Sequence, residues 1–283
     1  MRILGRKYAL AVLCLGLMPA GCGPAGNKTA PPASTRPTVF ALTPALTEVA
    51  AAICHPTQMP VVCTHSDYPA WVTKLPKIPT LPLDLESLLA AKPGLVLAEE
   101  GMHSPATLAN VAKLGLQVKV LRLQTFEDLY QACDSIGRWS GNAGQGKAVV
   151  DSIRQLASQY QGRLSGKRSQ AVALLYFSPI MAYGSSSWMG SKMAHLGLAN
   201  AIGTYPGAAK TLTAEELATL PADIWLIPGP AGRTIPVGLA PVLALKPGTR
   251  LGFLDENLAA RPSVRLGQQL EDICRAVEGS ATR

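Results

Sequence analysis

The chain writes one phrase twice. "LDLESLLAAKPGLVLAEEG" occupies Leu83–Gly101, and "LTAEELATLPADIWLIPGP" occupies Leu212–Pro230, about 130 residues later. Each copy runs polar cap, short apolar helix, proline, apolar run, then polar residues. The prolines Pro93 and Pro221 end their helices, because proline lacks an amide donor and disfavours helical backbone before it. The runs Leu95–Ala98 and Ile224–Ile227 are continuously apolar rather than alternating, the pattern of strands covered on both faces. A chain that builds the same helix–Pro–strand object twice is expected to consist of two similar α/β halves.

The rest of the chain follows that grammar. Thr38–Thr43 reads as a strand, and Pro44 opens a helix over Ala45–Ile53. Pro60–Cys63 and Val118–Leu121 read as strands, and Ser104–Leu114 as a helix stopped by Gly115. From Phe126 to Tyr160 nearly everything is helix-permissive apart from Ser140–Gly146. Val149, Ile153, Leu156, Ala157 and Tyr160 recur at helical spacing, giving one long amphipathic helix over roughly Gln145–Leu164. After the polar break Lys167–Ser169 the α/β alternation restarts. It gives strands at Ala171–Phe177 and Arg250–Leu254, and helices at Ser191–Ala199, Ala214–Leu220 and Val264–Val277.

The ends carry different information. Arg2, Arg6 and Lys7 precede the apolar run Tyr8–Ala20, the n- and h-regions of a secretory signal. Ala20 and Gly21 before Cys22 resemble the lipobox of bacterial lipoproteins, with Pro19 where that pattern prefers leucine. Gly23–Pro37 is rich in Gly, Ala, Pro, Thr and Ser and reads as a tether. The organisation expected is signal at 1–21, lipidated Cys22 and tether over 22–37, first lobe 38–141, linking helix 142–166 and second lobe 167–283. Removing the three signal cations takes the formal charge from +8 to +5. No basic block with interleaved aromatics remains, so nucleic acid is not an expected partner. Of the six cysteines, Cys54, Cys63, Cys133 and Cys274 are left in an exported domain, with three full pairings open.

In open parallel sheets, ligands bind beyond the carboxyl ends of the strands. Those ends here run into His65, Asp67, Tyr68 and Trp71, into Glu99, Glu100 and His103, and into Asp255 and Arg261. Trp188 and Tyr205 add flat apolar surface, and Arg261 suits an anionic group.

The order of motifs resembles the ABC-importer solute-binding proteins of the cobalamin and iron–siderophore type. The stretches that carry the resemblance are "ALTPALTEVAAAI", "THSDYPAWVTKLPKIPT", "LESLLAAKPGLVLA", "YGSSSWMGSKMAHLGLANAIG", "TAEELATLPADIWLI" and "FLDENLAARPSVRLGQQL". The resemblance implies two Rossmann-like parallel-sheet lobes joined by a single long helix, with the ligand in the cleft between them. It implies a monomeric, lipid-anchored protein outside the cell membrane that hands its cargo to a permease dimer. Members present one glutamate per lobe to that permease, and the matching positions are Glu86 and Glu215. "SDYPAWVTKLP" is most similar to the cobalamin-binding branch, whereas Ile78–Thr80 lacks the Gly-Tyr pair of the haem-binding branch. The cargo expected is therefore a corrinoid, with a ferric siderophore or haem as the alternative, and no resident cofactor is implied.

Two further readings are weaker. His65, His103, His195 and Asp255 would have to converge to bind a bare zinc or manganese ion. For an enzyme there is no G-x-G-x-x-G, no phosphate-binding P-loop, no H-E-x-x-H and no G-x-S-x-G. Ser185–Ser187 has no evident base beside it.

Overall fold

The computed structural model describes residues 36–166, 170–203, 205, 207–229 and 235–282. The expectations for the signal, for Cys22 and for most of the tether lie outside the described residues.

In the first lobe, β1 (Val39–Ala41), β4 (Leu95–Glu99) and β5 (Val118–Leu121) form a parallel sheet in the order β1-β4-β5. Beside it, β2 (Val62–Cys63) and β3 (Lys77–Ile78) pair as a short parallel ribbon. The continuous apolar runs are explained by burial on both faces. Val39, Ala41, Leu95 and Leu97 enter one core. The alternate residues Phe40, Leu42, Val96 and Ala98 enter another, shared with Leu88 and Val111. Those two residues belong to α2 (Leu85–Ala91) and α3 (Pro105–Lys113), so the helices cover that face. Side chains alternate across a strand, and in β1 and in the body of β4 neither side meets water, whereas Val120 on the edge strand β5 is exposed.

The second lobe keeps the expected parallel strands at the centre of its sheet and adds antiparallel strands at the edges. Its order is β12-β11-β10-β6-β7-β9, formed by β6 (Gln170–Phe177), β7 (Ile180–Tyr183), β9 (Ala209–Leu212), β10 (Ile224–Gly229), β11 (Arg250–Asp255) and β12 (Ala281–Thr282). β6, β10 and β11 are parallel, while β7 runs antiparallel to both of its neighbours, β6 and β9, and β12 runs antiparallel to β11. The two-residue β8 (Ala199–Asn200) lies along β6. The same alternation recurs, with Ala171, Ala173, Ile224 and Leu226 in the first core and Val172, Leu174, Trp225 and Ile227 in a separate one.

The core that receives Val39 and Leu97 is the one that receives Ile224 and Leu226. It is filled between the sheets by α1 (Pro44–Ile53), α4 (Phe126–Trp139), α5 (Ala143–Ser158), α6 (Trp188–Leu196) and α10 (Leu266–Glu278). The linking helix α5 therefore lies within a packed helical layer that both lobes share. α4 turns into α5 at Ser140–Asn142, and the two helices touch backbone to backbone. A Cβ on Gly146 would lie 2.8 Å from the Cys133 carbonyl oxygen, so only glycine fits there.

α5 also stops short of the expected Leu164. From Gln159 the chain turns, because the end of α6 supplies competing partners. The amides of Gly162 and Leu164 donate to the carbonyls of His195 and Leu196 at 2.9 and 2.8 Å. His195 Nε2 reaches back to the Ala157 carbonyl at 2.8 Å. Helix α6 itself begins three residues before its expected start, because Ser187 caps it through Gly190 N at 3.0 Å. It ends at Gly197, with φ +74. The remaining α-helices among the described residues are α7 (Ala214–Thr219), α8 (Ala240–Leu245) and α9 (Glu256–Ala260). Cys54, Cys63 and Cys133 are buried free thiols and Cys274 is buried, so none of the three pairings left open is formed. Among the described residues no helix is long and apolar enough to cross a membrane.

Candidate functional site

The carboxyl ends of the central strands present side chains from both lobes, and one group joins them. Glu48, on the buried face of α1, is 1% exposed. Arg265, just before α10, meets it with two hydrogen bonds, Nε to Oε2 at 2.9 Å and Nη2 to Oε1 at 2.7 Å. Arg261, after α9, places Nη1 at 3.5 Å from Glu48 Oε1 and also donates to Asp67 and to Asn257. The guanidinium of Arg265 lies 4.4 Å from the centre of the Tyr68 ring, a cation–π contact. Asp67 and Tyr68 follow β2, whereas Arg261 and Arg265 follow β11, so the cluster ties the two halves together beside the strand tips.

Asp67, Tyr68 and Arg261 are thus brought together as the sequence suggested. Glu48 and Arg265 were missed, although a lone acid inside the apolar run of α1 was a readable signal. His65 is exposed in the turn after β2, and Trp71 is half-buried in a single 3₁₀ turn packed on the shared core. Asp255 caps α9 by accepting from Leu258 N at 2.9 Å and stays exposed. Tyr205 is half-buried, its ring lying so close to Gly207 that a Cβ there would approach Cε1 to 2.6 Å.

Trp188 corrects the expectation most clearly. It is 5% exposed, its indole N–H donates to Gln269 Oε1 at 2.9 Å, and its ring centre lies 5.3 Å from that of Phe126. Its faces are spent on the core, leaving no open surface for a ligand. His103 is also buried. Its Nε2 donates to the Thr80 carbonyl at 2.8 Å, which leaves Nδ1 buried without a partner. With His195 committed to Ala157, the four residues of the bare-metal reading do not converge. Among the described residues no three His, Cys, Asp or Glu side chains are grouped to hold a metal ion. Ser187 is a helix cap and Ser185 donates to the Tyr205 carbonyl, so neither is poised as a nucleophile.

Apolar side chains that sequence reasoning passed over surround this edge. Leu81 and Met102 are exposed on the loops that His103 joins. In the second lobe Tyr176, at the end of β6, is 55% exposed and Val237 is 91% exposed. Gly238 lies against the Phe177 carbonyl, which brings the Val237 turn beside the tip of β6. Exposed apolar groups of this kind, arranged around polar ones, suit a binding surface.

Behind Arg261 sits a buried polar chain. Gln269 Nε2 donates to the Arg261 carbonyl at 2.7 Å, and Lys192 Nζ donates to Gln269 Oε1 at 3.3 Å and to the Ala259 carbonyl at 2.6 Å. Lys192 is fully buried, and desolvation pushes its pKa down to about 7.

Glu86 and Glu215 occupy equivalent places, each second in its helix. The capping work falls to their neighbours. Asp84 accepts from Ser87 N at 3.0 Å in α2, and Thr213 exchanges hydrogen bonds with Glu216 at 3.1 and 2.8 Å in α7. Glu86 and Glu215 are both exposed, and neither side chain makes a hydrogen bond or ion pair among the described residues.

Known proteins resemble this chain in sequence and in fold. A vitamin B12-binding protein of Salmonella typhi is 27% identical over 154 residues, which cover 53% of this chain and 57% of that protein. The chain thus matches a little over half the length of that relative. Among solved structures, the periplasmic vitamin B12-binding protein BtuF of Vibrio cholerae superposes with a TM-score of 0.70 at 19% identity, covering 86% of this chain and 97% of that one. The periplasmic haem-binding protein RhuT from Roseiflexus sp. RS-1 superposes with a TM-score of 0.73 at 21% identity, covering 84% and 96%. These two likenesses concern the fold. The family model described as periplasmic binding protein matches residues 39–244, most of the chain, and the protein belongs to that family.

Proposed function

We propose that this protein is the substrate-binding component of an ABC importer, and that its cargo is a corrinoid of the cobalamin type, delivered without chemical change. The observation that supports this reading most is the composition of the strand-tip edge. Exposed Leu81, Met102, Tyr176 and Val237 offer apolar contact suited to a macrocycle. The strongest cations of that edge, Arg261 and Arg265, are already neutralised by Glu48 and Asp67. A neutral, amide-rich macrocycle suits such an edge better than a haem, whose propionates need free cations. The vitamin B12-binding relative points the same way.

In this reading the protein is exported and held at the outer face of the cell membrane by a lipid on Cys22. Glu86 and Glu215 dock it on a permease made of two copies, one carboxylate per lobe. The shared helical core and the Glu48–Arg265 bridge keep lobe movement small, which limits the ordering cost of capture. The test is the absorption spectrum of the protein purified after growth with cobalamin, haem and a ferric siderophore together. Corrinoid bands support the reading, and a haem Soret band or a ferric chelate band overturns it.

A further inference from the structure

Glu99 ends β4, the middle strand of the first sheet, at the edge where the ligand is expected. Its Oε2 accepts a hydrogen bond from Thr43 Oγ1 at 2.9 Å, and Thr43 lies just past the end of the neighbouring strand β1. The carboxylate is half-buried, yet no Lys or Arg pairs with it among the described residues. The nearby cations are engaged elsewhere. Arg122 beyond β5 binds Asp128, Lys77 donates to the carbonyls of Ser66 and Val72, and Arg261 and Arg265 hold Glu48 and Asp67. A carboxylate removed from water without a counter-cation or a full set of donors is costly, and it becomes an acceptor for donors brought in from outside. Burial raises the pKa of Glu99 despite the Thr43 hydroxyl, as expected for a group short of partners.

We infer that Glu99, oriented by Thr43, is a selectivity residue of the strand-tip face, accepting hydrogen bonds from the N–H groups of a neutral, amide-bearing ligand and disfavouring carboxylate-bearing ones. The inference rests on the corrinoid reading above and adds the group that separates a corrinoid's side-chain amides from acids of the same shape. An amide meets Glu99 with a donor. A carboxylate meets it with like charge at low dielectric, where repulsion is felt most.

The test compares cyanocobalamin with a corrinoid whose peripheral amides have been hydrolysed to carboxylates, by calorimetric titration at neutral pH. The proteins are the wild type and Glu99→Gln, a near-isosteric change that keeps an acceptor for Thr43. The wild type is expected to prefer the amide form by about tenfold or more, the scale of a hydrogen bond to a charged group. Glu99→Gln is expected to bind the acid form more tightly than the wild type does and to bring the ratio close to one. Thermal unfolding of both proteins confirms that each is folded. An unchanged ratio in Glu99→Gln overturns the role of Glu99 while leaving the corrinoid reading intact. Absence of binding by the wild type to either compound overturns both.

Discussion

Glu48 and Arg265, 217 positions apart, share two hydrogen bonds of 2.9 and 2.7 Å, one carboxylate meeting one guanidinium edge to edge. The pair belongs to different lobes, so its geometry exists only when the two halves are seated on their common helical layer. Breaking a buried pair by removing one partner leaves the other charge uncompensated. Glu48→Ala is therefore expected to lower unfolding free energy by roughly 3 kcal/mol, read from urea denaturation. The double change Glu48→Leu with Arg265→Met is expected to recover most of that loss, because an apolar replacement has no charge to strand. Equal losses in the single and double variants would show that packing, not the ion pair, sets the cost.

The two unpaired glutamates make a separate prediction. Reversing both, as Glu86→Lys with Glu215→Lys, is expected to abolish transport into vesicles carrying the permease while leaving ligand affinity unchanged. Both side chains are exposed and neither caps its helix, so the fold does not depend on them. Normal uptake by the double variant contradicts the docking role.

Lys192 gives the protein a pH signature. Its folded pKa is about 7 against an ordinary 10.5, so between those values the unfolded chain binds a proton that the folded one does not. Stability from this group therefore rises as pH increases from about 7 towards 10.5. Melting temperatures of the wild type minus those of Lys192→Met are expected to climb over that window. A flat difference would mean that the ammonium keeps its proton through contacts with Ala259 and Gln269.

Glu99 has the opposite sign. A folded pKa raised above the ordinary 4.5 means that the folded state holds its proton longer as pH rises. Its contribution is full below 4.5 and is lost as pH rises through the folded value, so Glu99→Gln is expected to melt higher than the wild type at pH 7. The advantage should vanish in acid. A lower melting temperature at neutral pH would indicate that the charged form is the one the fold favours.

Local chemistry made most of the first lobe readable. Ser104 before Pro105 marked the start of α3, Asp84 the start of α2, and the β-branched stretch Val118–Leu121 coincided with β5. The region after β6 was less legible. Ile180–Tyr183 and Ala209–Leu212 are short strands in a stretch crowded with Gly, Ser and Pro, and their antiparallel pairing depends on a partner about 30 residues away. Helix α6 starts at Trp188 rather than at the expected Ser191, with Gly190 inside its first turn. Gly190 is there because a Cβ would come within 2.4 Å of the Gly184 carbonyl oxygen. Asp67, Tyr68 and Arg261 were picked by the rule that ligands meet strand ends, and the structure places them in one cluster. The burial of Trp188 was not legible, because an aromatic beside Ser-rich text looks the same whether it faces a cleft or a core. Glu48–Arg265 was hidden for a different reason, since periodicity records which face of a helix is buried and not which distant side chain meets it.

The most direct measurement is calorimetric titration of the mature protein with cyanocobalamin, hemin, a ferric siderophore and zinc. Tight binding of one equivalent of cyanocobalamin is expected, with markedly weaker binding of the others. Tight binding of hemin, ferric siderophore or zinc by a protein that ignores cyanocobalamin would contradict the corrinoid reading.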